Sequence, residues 1–216
     1  MELSYLLIGL TLSYLLGSIP SAVWVGKIMF GIDVREHGSG NAGATNTFRV
    51  LGKRAGFIVL FLDFFKGLAA TSLLFLQEKV IPGTPEFHNY QMLLGITVVV
   101  GHVFPLFAGF KGGKGIASLL GAVVGISWYL ALACAIIFVL TVWITKYISL
   151  GSMLACILSP IVVRLIYGIN ESIFIYFCSI VAIMVLYTHR TNLKRLRAGT
   201  EAQFSFSKKP EIESSK

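Results

Sequence analysis

The sequence predicts an all-α polytopic membrane protein, a helical bundle of seven transmembrane helices with the N-terminus outside and the C-terminus in the cytoplasm. Three observations lead there. The 216-residue chain is 56% hydrophobic and only 13% charged, with a mean hydropathy of +0.80, whereas a soluble domain carries about 25% charged residues. Apolar runs of the roughly 20 residues that cross a bilayer recur along it. Of its 18 Lys and Arg, only Lys79 and Arg164 fall at the outer side of that arrangement, an asymmetry of the positive-inside kind. The length fits one domain, residues 1–199, with a loosely ordered polar cytoplasmic tail over 200–216. The net charge of +8 suits anionic lipid or an anionic substrate. Because the basic residues are spread over membrane-flanking loops, nucleic acid is excluded as a partner.

The first span runs from about Leu3 to Met29. Gly17 and Ser18 allow close helix packing, and Pro20 predicts a kink. The Met-Glu start lacks the basic n-region of a signal peptide, so the segment is expected to be retained. The loop that follows, about Phe30 to Arg54, carries Gly38-Ser39-Gly40-Asn41-Ala42-Gly43-Ala44-Thr45-Asn46 and then Arg49. Glycines let the backbone turn tightly and expose N–H groups. Ser, Asn and Thr add donors, and Arg49 adds a planar cationic fork. No carboxylate interrupts the stretch. That is the chemistry of an anion cradle, most simply for phosphate. A flexible linker would also be glycine-rich, but it needs neither Arg49 nor so many donors without acids. Gly38, Gly40 and Gly43 match a dinucleotide fingerprint literally, yet that fingerprint has meaning only between a strand and a helix.

The second span, about Ala55 to Leu76, contains Asp63 and Lys66 at i,i+3 on one helical face. They read either as a structural ion pair or as part of the substrate's setting. The connection Gln77–Tyr90 reads as external. The third span, about Gln91 to Phe110, includes His102 and Pro105 and ends in Phe110-Lys111-Gly112-Gly113-Lys114-Gly115. Glycines again meet cations without acids, giving a second anion site or the other half of the first; a positive-inside anchor would use the same lysines. From Ile116 to Thr145 no charge occurs. Two helices of about 15 residues, turning near Gly125 to Trp128, keep every basic cluster on one side, and at about 22 Å each they are short for a bilayer. The sixth span, about Leu150 to Tyr167, contains Pro160. The seventh, about Ser172 to Tyr187, leads into His189-Arg190-Thr191-Asn192-Leu193-Lys194-Arg195-Leu196. If that stretch stays helical, His189 and Asn192 share a face; the alternative is a basic interfacial helix anchored by Leu193 and Leu196. Cys134, Cys156 and Cys178 lie in apolar segments with no CxxC spacing, so neither disulfide nor metal is expected. No internal repeat supports an inverted-repeat transporter.

Three stretches taken together carry a resemblance: Gly38 to Asn46 with Arg49; Gly101-His102 with Pro105 and Phe110 to Gly115; and His189-Arg190 with Asn192 and Arg195-Leu196. They resemble, in order, the three motifs of the bacterial acyl-phosphate:glycerol-3-phosphate acyltransferases, the PlsY family. Leu62-Asp63 and Lys66-Gly67 are similar to that family as well. The resemblance implies transfer of an acyl group from acyl phosphate to the 1-hydroxyl of sn-glycerol 3-phosphate, giving lysophosphatidic acid and phosphate. It implies a multi-pass protein of the bacterial inner membrane, with glycerol 3-phosphate, acyl phosphate and membrane lipid as partners, an active site facing the cytoplasm, no cofactor, and a monomer. On that reading Ser39, Arg49, Lys114, His189 and Asn192 serve catalysis, while Gly38, Gly40, Asn41, Thr45, Asn46, Lys111, Gly112, Gly113 and His102 bind substrate. The proton acceptor is left among His189, His102 and a substrate phosphate. The competing readings are a transporter or channel for phosphorylated solutes and a lipid-binding scaffold.

Overall fold

The computed structural model describes residues 3–76, 81–168, 172–204 and 210, and the described residues contain helices and loops but no strand. By contact they group into two compact units, one running to Ile126 and one beginning at Ser127.

The first unit holds α1 (Leu3–Gly17), α2 (Ser21–Phe30), α3 (Ala44–Leu51), α4 (Lys53–Ser72), α5 (Pro85–Val103) and α6 (Ile116–Ile126). The kink expected at Pro20 is a full interruption between α1 and α2, although the two together make one apolar stretch of 28 residues. α4 packs on α6 and α1 on α5, and glycines set both distances. A methyl added to Gly67 of α4 would lie 1.9 Å from the Ser118 carbonyl oxygen, and one added to Gly121 of α6 would lie 1.9 Å from that of Phe64. Gly17 and Gly101 play the same part between α1 and α5, where an added Cβ would meet the carbonyls of Val98 and Tyr14. Small residues let helix backbones meet where lipid offers no hydrophobic drive to associate. Beneath the first polar loop lies a cluster of Ala22, Val25, Val34, Val50, Leu51, Ala55 and Val59, which seats α2 and α3 on α4.

α5 begins at Pro85, earlier than the span expected from Gln91. Thr84 caps it, accepting a hydrogen bond from the Phe87 N–H, and Pro85 and Glu86 occupy its first turn. That is a complete helix-start signal, outweighed in the sequence by the polarity of the segment. Lys79 lies outside the described residues.

The second unit holds α7 (Trp128–Thr145), α8 (Ile148–Tyr167), α9 (Ser172–Thr188) and α10 (Arg190–Arg197). The uncharged run does break where expected, at Ser127, whose hydroxyl caps α7 by accepting from the Leu130 N–H at 3.1 Å. The pieces are unequal, however: 11 residues in α6 and 18 in α7. Pro160 stays inside α8. It has no N–H to offer the carbonyl one turn back, and Cys156 O accepts instead from the Ser159 hydroxyl at 2.8 Å. α9 does not continue through His189; α10 departs from its axis by 63°. Among the described residues five apolar stretches are long enough to cross a membrane, six if α9 and α10 form one span, and α6 is shorter than any of them.

Candidate active site

The first polar loop is a built structure. Asp33 caps a short 3₁₀ turn, Val34–Glu36, by accepting from the Arg35 N–H. Its carboxylate also receives the Arg35 fork, with Nε to Oδ1 at 3.0 Å and Nη2 to Oδ2 at 2.7 Å. The remaining arm, Nη1, donates to the carbonyls of Ala108 at 2.9 Å and Lys111 at 3.3 Å. Arg35 therefore fastens the first loop to the second. The guanidinium holds the Asp33 carboxyl down at about 2 despite some burial, and the carboxylate in turn raises Arg35.

Asn46 closes the glycine-rich turn. Its Oδ1 accepts from Ser39 N–H at 2.8 Å and Ser39 Oγ at 3.0 Å, and its Nδ2 donates to the carbonyls of Val34 and His37 at 2.9 and 3.1 Å. Gly38 takes φ +60° there, and an added Cβ would sit 2.4 Å from Asn46 Oδ1, so both conformation and space demand glycine. One expectation needs correcting. The N–H groups of Ser39 and Gly40 do not face outward as an anion nest, because they donate to Asn46 and His37 within the loop. What the loop presents instead is the first turn of α3. Gly43 begins that helix without any side-chain cap, and the exposed Thr45, half-buried Asn41 and half-buried Arg49 flank the loop. Uncapped N–H groups at a helix start, beside a guanidinium, suit a phosphate.

The second loop folds back on α5. Gly112 and Gly113 donate their N–H groups to Val103 and His102 carbonyls, each at 3.2 Å. A Cβ on Gly113 would lie 2.3 Å from His102 Nε2 and 2.8 Å from the Ala42 carbonyl oxygen. The two loops thus meet at a glycine, beside exposed Lys111 and half-buried Lys114. His102 itself is 6% exposed. Its Nδ1 faces Ser118 Oγ at 3.2 Å and Asp63 Oδ1 at 3.6 Å. The same Asp63 oxygen accepts from Ser21 Oγ at 2.8 Å and pairs with Lys66 Nζ at 2.9 Å. Lys66 also donates to the Ile19 carbonyl at 2.8 Å, inside the break between α1 and α2.

The third stretch lies in the second unit. His189 is the pivot between α9 and α10 and is buried. Its Nδ1 lies 2.9 Å from the Val185 carbonyl. A carbonyl only accepts, so Nδ1 carries the proton and Nε2 the lone pair of the neutral ring. Asn192 Nδ2 donates to Glu201 Oε1 at 2.5 Å, and that carboxylate also takes Ser149 Oγ and Arg195 Nε, each at 2.7 Å. Burial pushes Glu201 up, but the hydrogen bonds from Arg195, Ser149 and Asn192 outweigh it and hold its carboxyl below the ordinary range. Of the polar tail, Thr200 and Phe204 are also tied down, donating their N–H groups to the carbonyls of Arg195 and Lys146.

Within the first unit Arg35 ties the first loop to Ala108 and Lys111, and Gly113 meets His102 and Ala42; Gly38, Ser39, Gly40 and Asn41 lie on the first loop, Thr45, Asn46 and Arg49 on α3, His102 on α5, and Lys111, Gly112, Gly113 and Lys114 on the second loop. His189 and Asn192 stand together in the second unit. Sequence reasoning missed Asp33 and Arg35 as the fastener, Ser21 and Ser118 as partners of the buried pair, and Glu201 as the anchor of Asn192. Only the first had a readable signal: an Asp two residues before an Arg at a loop start is a local capping pattern.

Comparison with known proteins places the chain in a family. A family profile described as "Glycerol-3-phosphate acyltransferase" matches residues 7–199. A glycerol-3-phosphate acyltransferase from Pelodictyon phaeoclathratiforme is 41% identical over 227 residues, covering 93% of this chain and 97% of that protein. The crystal structure of PlsY (YgiH), an integral membrane glycerol 3-phosphate acyltransferase, superposes in its glycerol 3-phosphate form with a TM-score of 0.79 at 33% identity, covering 93% of this chain and 96% of that one. Its lysophosphatidic acid form gives 0.79 at 32% identity with the same coverage. The chain belongs to the glycerol-3-phosphate acyltransferase family.

Proposed function

We propose that this member of the glycerol-3-phosphate acyltransferase family takes its acyl group from acyl phosphate and places it on the 1-hydroxyl of sn-glycerol 3-phosphate. The observation that carries the reading is the pair of acid-poor loops, fastened by Arg35 and meeting at Gly113, which gather Arg49, Lys111 and Lys114 beside the uncapped start of α3. Two phosphate-bearing substrates need that concentration of fixed cations and donors. In the reaction the glycerol oxygen attacks the acyl carbonyl carbon, the carbon–oxygen bond to phosphate breaks, and inorganic phosphate departs with the electron pair. The acyl donor already carries its leaving group, so no cofactor is needed. Arg49 and Lys114 neutralise the charge that grows on the departing phosphate, Thr45, Asn41 and Lys111 hold phosphate oxygens, and Ser39 joins them by turning its hydroxyl away from Asn46 Oδ1. Asn46, Gly38, Gly40, Gly112 and Gly113 act by shaping the loops. His102 holds Gly113. His189 and Asn192 keep the roles that the motif resemblance implies.

The hydroxyl proton goes to a substrate phosphate, whose second pKa is about 6. His189→Ala is then expected to raise KM while kcat stays within about threefold. A loss of tenfold or more at saturating substrate would instead make His189 the base. Seven crossings, an outer N-terminus, a cytoplasmic C-terminus and site, a single domain over 1–199 with a polar tail, and a monomer in a bacterial inner membrane complete the proposal. The positive-inside distribution supports the orientation.

The decisive experiment supplies purified protein in lipid with glycerol 3-phosphate and either palmitoyl phosphate or palmitoyl-CoA. Equal yields of lysophosphatidic acid and phosphate from palmitoyl phosphate alone are expected. Product from the CoA donor would overturn the donor assignment, and no product from either would overturn the activity.

A further inference from the structure

The loops do not stand on solvent-exposed ground. Beneath them, inside the first unit, Asp63 is 2% exposed and Lys66 7%, on a helix long and apolar enough to cross the membrane. Burying two charges is costly even when they are paired, and an apolar pair of similar volume often serves stability as well. The pair therefore calls for a reason beyond holding helices together. It is not isolated. Asp63 reaches Ser21 of α2, Lys66 of its own helix and His102 of α5, and His102 reaches Ser118 of α6. His102 also touches the second loop. Its carbonyl accepts from Gly113 N–H, and its Nε2 edge lies so close to Gly113 that no Cβ fits, with the Ala42 carbonyl of the first loop against the same spot.

We propose that Asp63, Lys66 and Ser118 are positioning residues for phosphate binding: they fix the rotation of the His102 ring, which wedges Gly113 and sets the gap between the two loops. Asp63 and Ser118 fix the ring from the Nδ1 side, and Lys66, itself anchored by donating to the Ile19 carbonyl, pairs with Asp63 and keeps it aimed. Rotating the ring moves Gly113, and with it Lys114, the next residue along. Displacements of about 1 Å far from a reacting centre can cost roughly a hundredfold in rate. This role rests on the acyltransfer reading for its kinetics, but not for its geometry.

The test compares Asp63→Asn, Ser118→Ala and the charge-neutral double variant Asp63→Asn/Lys66→Met with wild type. The first readout is KM for glycerol 3-phosphate and for palmitoyl phosphate, each separately from kcat. The second needs no turnover: acetylation of Lys114 by a lysine-acylating reagent, read by mass spectrometry, with and without inorganic phosphate. Asp63→Asn is expected to raise KM for at least one phosphate substrate about tenfold and to shift the phosphate concentration that shields Lys114 by a similar factor. Ser118→Ala shifts both about threefold. The double variant recovers the thermal midpoint lost in Asp63→Asn and keeps the raised KM and weakened shielding. Recovery of stability, KM and shielding together in the double variant would overturn the proposal and leave the network purely structural. Unchanged shielding in all three variants would overturn it as well. A wild type that makes no lysophosphatidic acid, yet whose Lys114 is shielded by phosphate and exposed in Asp63→Asn, would remove the reaction and keep the positioning role.

Discussion

Asp63 and Glu201 each gather three polar side chains, and they do so in opposite settings. Asp63 sits inside an apolar helix, and one of its partners, Lys66, comes from the next turn of the same helix. Glu201 follows the last helix, and its partners come from α8 and α10. A carboxylate in a span is desolvated as its helix forms, so a counter-charge within hydrogen-bonding reach on that helix is the arrangement that tolerates insertion. A carboxylate outside the span stays solvated until the fold is complete, and it can recruit distant donors. The first joins α2, α4 and α5 around a buried charge, and the second pins the chain beyond α10 to α8 and α10.

Removing each charge tests that contrast, and the largest effect is expected at Asp63. Asp63→Ala leaves Lys66 buried without its counter-charge and should cost about 3–5 kcal/mol, seen as a fall of the thermal midpoint in detergent well beyond that of Lys66→Met with Asp63→Asn. A smaller loss would mean that water reaches the pair. Glu201→Gln keeps the shape and surrenders the charge-assisted bonds from Arg195 and Ser149, a cost of about 2 kcal/mol. Because the folded protein holds Glu201 below its ordinary value of 4.5, the stability it supplies is present above that pH and is lost as pH falls through the folded value. Wild type should thus lose stability below about pH 4.5 faster than Glu201→Gln, measured by thermal midpoints across an acid series; parallel curves would contradict the assignment.

Smaller effects come from the loops. Asp33, held at about 2 by Arg35, supplies stability above its ordinary 3.8, and that contribution fades only as pH falls through about 2. Arg35→Lys keeps a charge but loses the fork that spans Asp33 and the Ala108 carbonyl. It is expected to cost about 1 kcal/mol and to raise KM for a phosphate substrate several-fold; unchanged KM would show that the loops keep their spacing without it. Arg49→Lys should raise the same KM more, because the role proposed for Arg49 is a bidentate contact with a substrate phosphate. Least affected is Thr45→Ala. The residue is exposed, so stability should stay within about 0.5 kcal/mol, and any change in KM would report contact with substrate alone.

Most of the helical layout was legible because its signals are local. The interruption at Pro20 and the Asp63–Lys66 pair follow from residues within one or two turns of each other, whereas the break near Ser127 follows from the side on which the basic clusters fall. The glycines and cations of both loops, from which the site is proposed, stand together in the sequence as contiguous stretches. What escaped were relations between distant residues. Nothing near Asn46 says that its amide will close the turn 38–40, and nothing near Arg35 says that its free arm will reach Ala108, 73 positions away. Glu201 escaped for a different reason: a polar, acidic-and-basic tail reads as solvated until Ser149, 52 positions earlier, is known to lie beside it. The helix Ala44–Leu51 was hidden because it is only eight residues long, follows a glycine-rich turn without a side-chain cap, and buries the polar Asn46 and Thr47 beside Val50 and Leu51.

The facing glycines of α4 and α6 have a bearing on how this sequence can drift. An added Cβ at Gly67 or Gly121 meets a main-chain carbonyl oxygen, not a neighbouring side chain. No second substitution can shrink a carbonyl, so neither position has a compensating partner through which it could wander. Elsewhere in a packed bundle, a large residue can be traded against a small one across the contact over many generations. Here the two alleles are locked separately and permanently for as long as α4 and α6 keep this separation, and α4 and α6 are the helices that carry Asp63, Lys66 and Ser118. A seam that admits no added Cβ therefore runs past Asp63, Lys66 and Ser118.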